Sequence, residues 1–268
     1  MQGFDKIIYI SPRSSGLLDI NTSDIVYKAL PETGIFGRDI STIGTICDYK
    51  VDNCREKINS VVLDYKELFP ELIGLAVENK LDKYNVYEIN NKKTNFYKLS
   101  LMFWAPFILE EQAGNDKLID LINNNQSFTL VELFDNSQNP TVNYLQSLWK
   151  ELDYLMGEEE KNFDLNKRIV GKVIFYEVKT HKPGFMSKFS SIMSDRFGNG
   201  EVIVMKALNI EKKTYRHSIR TKTGKYNLGE IMIKLGVGGG HEQAAGATVP
   251  QEKEEWFENE LLKEINKD

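Results

Sequence analysis

Residues 237–250, VGGGHEQAAGATVP, decide how the rest of the chain is read. Three glycines, Gly238, Gly239 and Gly240, run into His241, and Ala244, Ala245, Gly246 and Ala247 follow at once. Glycine tolerates positive φ and lets another atom approach the backbone closely. A run of free N–H groups in a turn or at a helix start makes an anion cradle. The adjoining imidazole can donate to a phosphate oxygen. The plain alternative is a glycine-rich hairpin or loop with a surface histidine.

The residues leading into this stretch predict a small α/β domain. Residues 168–178, RIVGKVIFYEV, have the β-branched and aromatic content of one strand. Phe185, Phe189, Ile192, Met193 and Phe197 then recur at helical spacing, and Gly198 closes that helix. EVIVMKAL reads as a buried strand and KKTYRHSIRT as an exposed, alternating one. A helix over 227–235 turns Leu228, Ile231, Met232 and Leu235 inward, and EKEEWFENELLKEINK is an acidic amphipathic helix at the end.

Charge is unevenly placed. The formal net charge is −5, which argues against a chain coated in positive charge. Yet residues 206–234 hold eight Lys/Arg against Glu211 and Glu230, and the tail from Gln251 holds seven acids against three bases. The basic stretch is either a patch for a polyanion backbone or a solvated strand face.

The 268 residues, 41% hydrophobic and 27% charged, suit a globular chain with a sizeable core. Cys47 and Cys54 fit a reducing compartment and form no disulfide framework. No apolar run reaches transmembrane length and MQGFDK is not a signal peptide, so a cytoplasmic location without membrane contact is expected. Residues 4–10 read as a strand, 22–30 as a capped helix and 31–39 as a loop. Residues 43–46 form a strand or a helix start that ends at Asp48, a metal ligand or a plain cap. Residues 55–168 read as mostly helical, with Ile58, Val61, Val62 and Tyr65 on one stripe and a long helix beginning near Pro140 with Trp149 inward. Phe103, Trp104 and Phe107 are core or a base-stacking platform. Glu158 to Glu160 read as solvated surface.

The string GGGHEQAAG resembles the GGGHxxAAG signature of the DHH-associated domain, the C-terminal substrate-binding domain of DHH-family phosphoesterases. HSIRT is similar to that domain's SxR segment, and STIGTICD resembles the ALGTIAD segment of RecJ-like nucleases. A serine in ISP stands where that branch has asparagine. The resemblance implies that Gly238, Gly239, Gly240 and His241 hold the substrate phosphate or nucleotide, with Ser218 and Arg220 matching the SxR positions. It implies that Asp48 is a manganese (or magnesium) ligand. Two-metal hydrolysis needs several carboxylates and usually histidines. This chain has only His181, His217 and His241, no DHH triplet, and 47 residues before Asp48.

The implied fold is an incomplete DHH-type parallel sheet over residues 1–54, a helical connecting region over 55–167, and a small mixed-sheet DHH-associated domain over 168–268. The implied function is the nucleic-acid-binding half of a RecJ-like, manganese-dependent single-strand exonuclease. It would be active only with a second chain carrying the N-terminal DHH half. Single-stranded nucleic acid or a nucleotide is the implied ligand, with GINS-type replication proteins as further partners. Alternatives are a non-catalytic replication scaffold, or part of an oligonucleotide or cyclic dinucleotide phosphodiesterase.

Overall fold

The computed structural model describes residues 23, 34–48, 51–90, 92–125, 128–135, 138–194, 196, 201–223 and 225–267. The chain divides into two compact units, residues 1–105 with 117–149, and residues 106–116 with 150–268. The strand expected over 4–10 lies outside the described residues, as does the helix expected over 22–30 apart from Ser23, which is helical.

The first unit is helical. Helix α1 spans Gly34–Cys47, α2 spans Arg55–Asp64 and the short α3 spans Ile73–Val77. A two-residue hairpin, β1 (Glu88–Ile89) and β2 (Lys92–Lys93), precedes α4, Asn95–Asn125. The loop expected over 31–39 is corrected, because α1 already begins at Gly34. Asp39 is buried in that helix and accepts from Arg38 Nε at 3.1 Å and Tyr65 OH at 2.5 Å. Burial and the Asp39 bond push the Tyr65 phenol up to about 12. Ile43 and Ile46 of α1 are buried, as are Ile58, Val61 and Val62 of the stripe on α2. Phe103 packs at a tilt on Phe128, 6.2 Å between centroids, and Trp104 Nε1 donates to the Cys47 carbonyl at 3.4 Å. Helix α4 contains Pro106 and is kinked at Glu111 (φ 58°, ψ −139°). Helix α5, Pro140–Asn166, begins in this unit, continues as part of the second from residue 150, and opens on proline, where the missing N–H costs no ladder bond.

The second unit is built on a six-stranded mixed sheet. Its strands are β3 (Arg168–Val170), β4 (Val173–Glu177), β5 (Val202–Asn209), β6 (Thr214–Thr221), β7 (Gly238–His241) and β8 (Ala244–Pro250). The spatial order is β3-β4-β5-β6-β8-β7, and only β4 and β5 run parallel. Helices α6 (Phe185–Ser194), α7 (Leu228–Lys234) and α8 (Glu254–Ile265) pack on this sheet. The single strand expected over 168–178 is corrected to a hairpin. Gly171 takes φ 58° and the chain reverses there, pairing Val170 with Val173.

Both faces of the sheet centre are covered. On one face Val173, Phe175, Val202, Val204, Ile219, Ala245, Ala247 and Val249 meet Leu228 and Met232 of α7 and Phe257, Leu261 and Ile265 of α8. On the other, Tyr176 meets Phe163 of α5 (5.1 Å between centroids) and Phe189 of α6 (6.4 Å). The expectation of an exposed, alternating β6 is therefore corrected, since His217, Ser218 and Ile219 are consecutively buried. Glu159 is also corrected: this carboxylate is buried, not solvated. It accepts from Tyr176 OH (2.6 Å), Lys179 N (2.8 Å), Thr180 N (3.0 Å) and Thr180 Oγ1 (2.6 Å). Four donors replace the water that burial removes. Burial and the Glu159 contact raise the Tyr176 phenol well above its ordinary value.

An ionic network ties α8 to the sheet. Lys206 of β5 donates to Glu254 (2.9 Å) and Glu258 (3.0 Å), and His217 Nε2 lies 3.1 Å from Glu254 Oε1. Arg168 of β3 also meets Glu258. Burial opposes the charged Lys206, but its two carboxylate partners outweigh that and raise its pKa. For Glu254, burial raises the pKa while His217 and Lys206 lower it more.

Strand β7 closes on its neighbours without room for a side chain at Gly238 or Gly240. A Cβ at Gly238 would lie 2.0 Å from the Gly246 carbonyl oxygen. One at Gly240, which has φ 157°, would lie 2.3 Å from the Ala244 carbonyl oxygen. One at Gly229 of α7 would lie 2.5 Å from the Gly240 carbonyl oxygen. At Gly239 the nearest atom is Ile233 Cγ1 at 3.8 Å, an ordinary contact.

These contacts set the cost of adding a methyl group. Gly238→Ala and Gly240→Ala each cost about 1–3 kcal/mol by overpacking, whereas Gly239→Ala stays within about 1 kcal/mol, read as urea midpoints. Equal tolerance at all three positions contradicts the close approach. The ionic network sets the response to acid. A depressed Glu254 contributes stability that is fully present above the ordinary carboxylate value of 4.5 and is lost as pH falls through its folded pKa. Glu254→Gln is therefore less stable at neutral pH and loses less on acidification from that value. Parallel acid melting curves for the two proteins contradict the assignment.

Candidate functional site

The sheet register assembles the site. Ile203 pairs with Arg220, Arg220 with Ala244, and Ala244 with His241. One row thus crosses β5, β6, β8 and β7. A parallel row is Met205, Ser218, Gly246 and Gly239. The two matched motifs, far apart in sequence, are brought together in neighbouring rows of one sheet. Neighbouring strands lie about 4.8 Å apart, so the Arg220 and His241 backbones are about 10 Å apart across β8.

The glycines do not stand at a helix start. They form β7, an edge strand, and the turn follows at Glu242 and Gln243. The hairpin with an exposed histidine is the arrangement found. Gly238, Gly240, His241 and Gly246 are exposed, leaving small, open backbone beside the imidazole.

Arg220 is half-buried and tightly held. Nε donates to Ser191 Oγ at 3.3 Å and Nη2 to Ser187 Oγ at 3.1 Å. Nη1 donates to the carbonyls of Ile219 (3.0 Å) and Ala245 (3.4 Å). Ser218 is buried, with its Oγ 2.8 Å from Ser190 Oγ. The serines of α6 went unmarked in the sequence, where the apolar spacing of that helix dominated. Their signal is Ser187, Ser190, Ser191 and Ser194 interleaved with buried Phe185, Phe189 and Met193.

Part of the basic stretch is consumed by the fold. Lys206 pairs with Glu254 and Glu258, and Lys234 with Glu264 at 2.8 Å. The acidic tail thus neutralises part of the patch that the sequence set beside the glycines. Arg216, Lys212 and Lys213 are exposed on β6 and the turn before it.

Asp48 is exposed just beyond α1, where its N–H continues the ladder to the Gly44 carbonyl at 3.1 Å. Among the described residues, no three His, Cys, Asp or Glu side chains lie close enough to share a metal ion. A single carboxylate does not fit a two-metal phosphoesterase centre, so no chemical step is assigned to metal here. Also among the described residues, no helix is long and apolar enough to cross a membrane.

Residues 171–267 match the DHHA1 domain family. No curated protein sequence matches the chain. Among solved structures, RecJ of Thermus thermophilus in complex with Mn2+ aligns with a TM-score of 0.53 at 14% identity, covering 88% of this chain and 33% of RecJ. This chain therefore spans about a third of that relative. The same RecJ in complex with Mg2+ gives a TM-score of 0.51 at 13% identity, covering 88% of this chain and 35% of RecJ. PggH of Vibrio cholerae, described as a pGpG-specific phosphodiesterase, aligns with a TM-score of 0.50 at 17% identity, covering 78% of this chain and 72% of PggH. At these identities the likeness is one of fold. Residues 171–267 thus match the DHHA1 domain family, in a chain whose fold is similar to those of RecJ and PggH.

Proposed function

We propose that this chain is the substrate-binding part of a DHH-family phosphodiesterase, and that it holds single-stranded nucleic acid or a short nucleotide on its DHHA1 sheet. The register row that joins Arg220 to His241 across Ala244 carries this reading. A guanidinium and an imidazole about 10 Å apart at the backbone can both reach one phosphate, and Gly239 and Gly246 put no side chain into the row alongside. Charge-assisted bonds to phosphate are the strong class of hydrogen bond. In this reading residues 168–268 bind, 55–167 connect, and 1–54 are the remnant of a catalytic domain. A second chain carrying the DHH motifs completes that domain, and Asp48 joins its Mn2+ or Mg2+ site there. Replication proteins of the GINS type are further partners in the same reading. A dinucleotide such as pGpG is the second candidate ligand, supported by the larger share of PggH than of RecJ that this chain covers.

The test is binding of a labelled oligothymidylate and of pGpG by fluorescence anisotropy and competition. Arg220→Ala and His241→Ala each weaken binding, by about 1.5–3 kcal/mol for a lost charge-assisted bond. Affinity for the oligonucleotide falls as salt rises. Wild-type affinity in both variants overturns the assignment. The chain alone hydrolyses neither ligand in Mn2+. Hydrolysis by the isolated chain that Asp48→Ala abolishes contradicts the split-site reading.

A further inference from the structure

We infer that Ser187 and Ser191 of α6 are positioning residues of this site, fixing the Arg220 guanidinium in the orientation that receives phosphate. The inference rests on the reading of Arg220 as a phosphate contact. Ser187 and Ser191 stand one turn apart on α6 and accept from Nη2 and Nε of the same fork. A hydroxyl has one proton, and at Ser190 and Ser191 the helix takes it. Ser191 Oγ donates to the Ser187 carbonyl at 3.0 Å, so its oxygen is left as an acceptor facing Arg220. Ser190 Oγ donates to the same carbonyl at 2.9 Å. In the 2.8 Å contact between Ser190 and Ser218, Ser218 is therefore the donor.

The Ser218 proton is thus committed to α6 inside the fold, and Ser218 acts on the site by joining β6 to that helix. A planar fork held on two sides loses less orientational freedom when a ligand binds. A hydroxyl fixes the fork's direction without adding a charge. Removing it therefore weakens binding without changing how many counterions binding releases.

The experiment measures oligothymidylate affinity across a salt series, with melting temperatures alongside. The proteins are the wild type, Ser187→Ala/Ser191→Ala, Ser187→Thr/Ser191→Thr and Arg220→Ala. The alanine pair binds about tenfold more weakly, because the guanidinium is no longer held for the ligand, with an unchanged slope of log affinity on log salt. The threonine pair, which keeps both hydroxyls, binds as the wild type does. Arg220→Ala weakens binding and reduces the slope by about one. An alanine pair with wild-type affinity, beside a weakened Arg220→Ala, overturns the positioning role and leaves the binding site standing. Loss in the alanine and threonine pairs alike also overturns it, as a packing effect. Wild-type affinity in Arg220→Ala overturns the underlying site itself. Should the alanine pair fail to fold, the single variant Ser187→Ala decides, with a loss of about threefold expected and wild-type affinity contradicting the role.

Discussion

Strand β7 can join the sheet only because two of its four positions, Gly238 and Gly240, carry no side chain where there is no room for one. The carbonyls of Gly246 and Ala244 on β8 occupy the places where Cβ atoms of residues 238 and 240 would stand. From the other side, α7 brings Gly229 against the Gly240 carbonyl, again without room for a methyl group. The strand is held between a neighbouring strand and a helix, and His241 at its end is fixed in register with Ala244. Arg220 belongs to the site because β8 stands between β6 and β7, and the closure of β7 on the far side of β8 completes the row.

The same unit balances its charge internally. A basic strand pair beside an acidic terminal helix is a pattern of attraction within the fold. Lys206, Arg168 and Lys234 meet Glu254, Glu258 and Glu264 of α8. Lys206 is partly buried, so its pairing carries more weight than the exposed Lys234 pair. Buried Glu159 serves a similar end on the opposite face, where it joins α5 to β4 and to the segment leading to α6.

Much of this unit was legible in the sequence, because its strands are rich in β-branched and aromatic residues and its helices have clean apolar spacing. The resemblance of GGGHEQAAG and HSIRT to the DHH-associated domain agrees with the family match over 171–267. Of the readings open at 238–241, an anion cradle at a turn or helix start and a hairpin or loop, the hairpin is the arrangement found, with Gly238 paired to Ala247, Gly239 to Gly246 and Gly240 to Ala245. Other features escaped the sequence. The break at Gly171 was hidden in an otherwise continuous β-forming run. Glu159 sits between two other glutamates, and its burial depends on Tyr176 and Thr180 arriving from elsewhere. The serines of α6 gain their role only when Arg220 lies against them. In the first unit, Gly34, Gly37 and Asp39 spoke for a loop, while Asp39 is satisfied by Arg38 and by Tyr65 of a later segment.

If ligand binds where β6, β8 and β7 meet, an amide chemical-shift map of the full chain titrated with oligothymidylate shows the largest shifts at residues 238–241, at 244–246 and at Arg220, with α6 following. Largest shifts in the helices of the first unit, with this corner of the sheet unmoved, would contradict it.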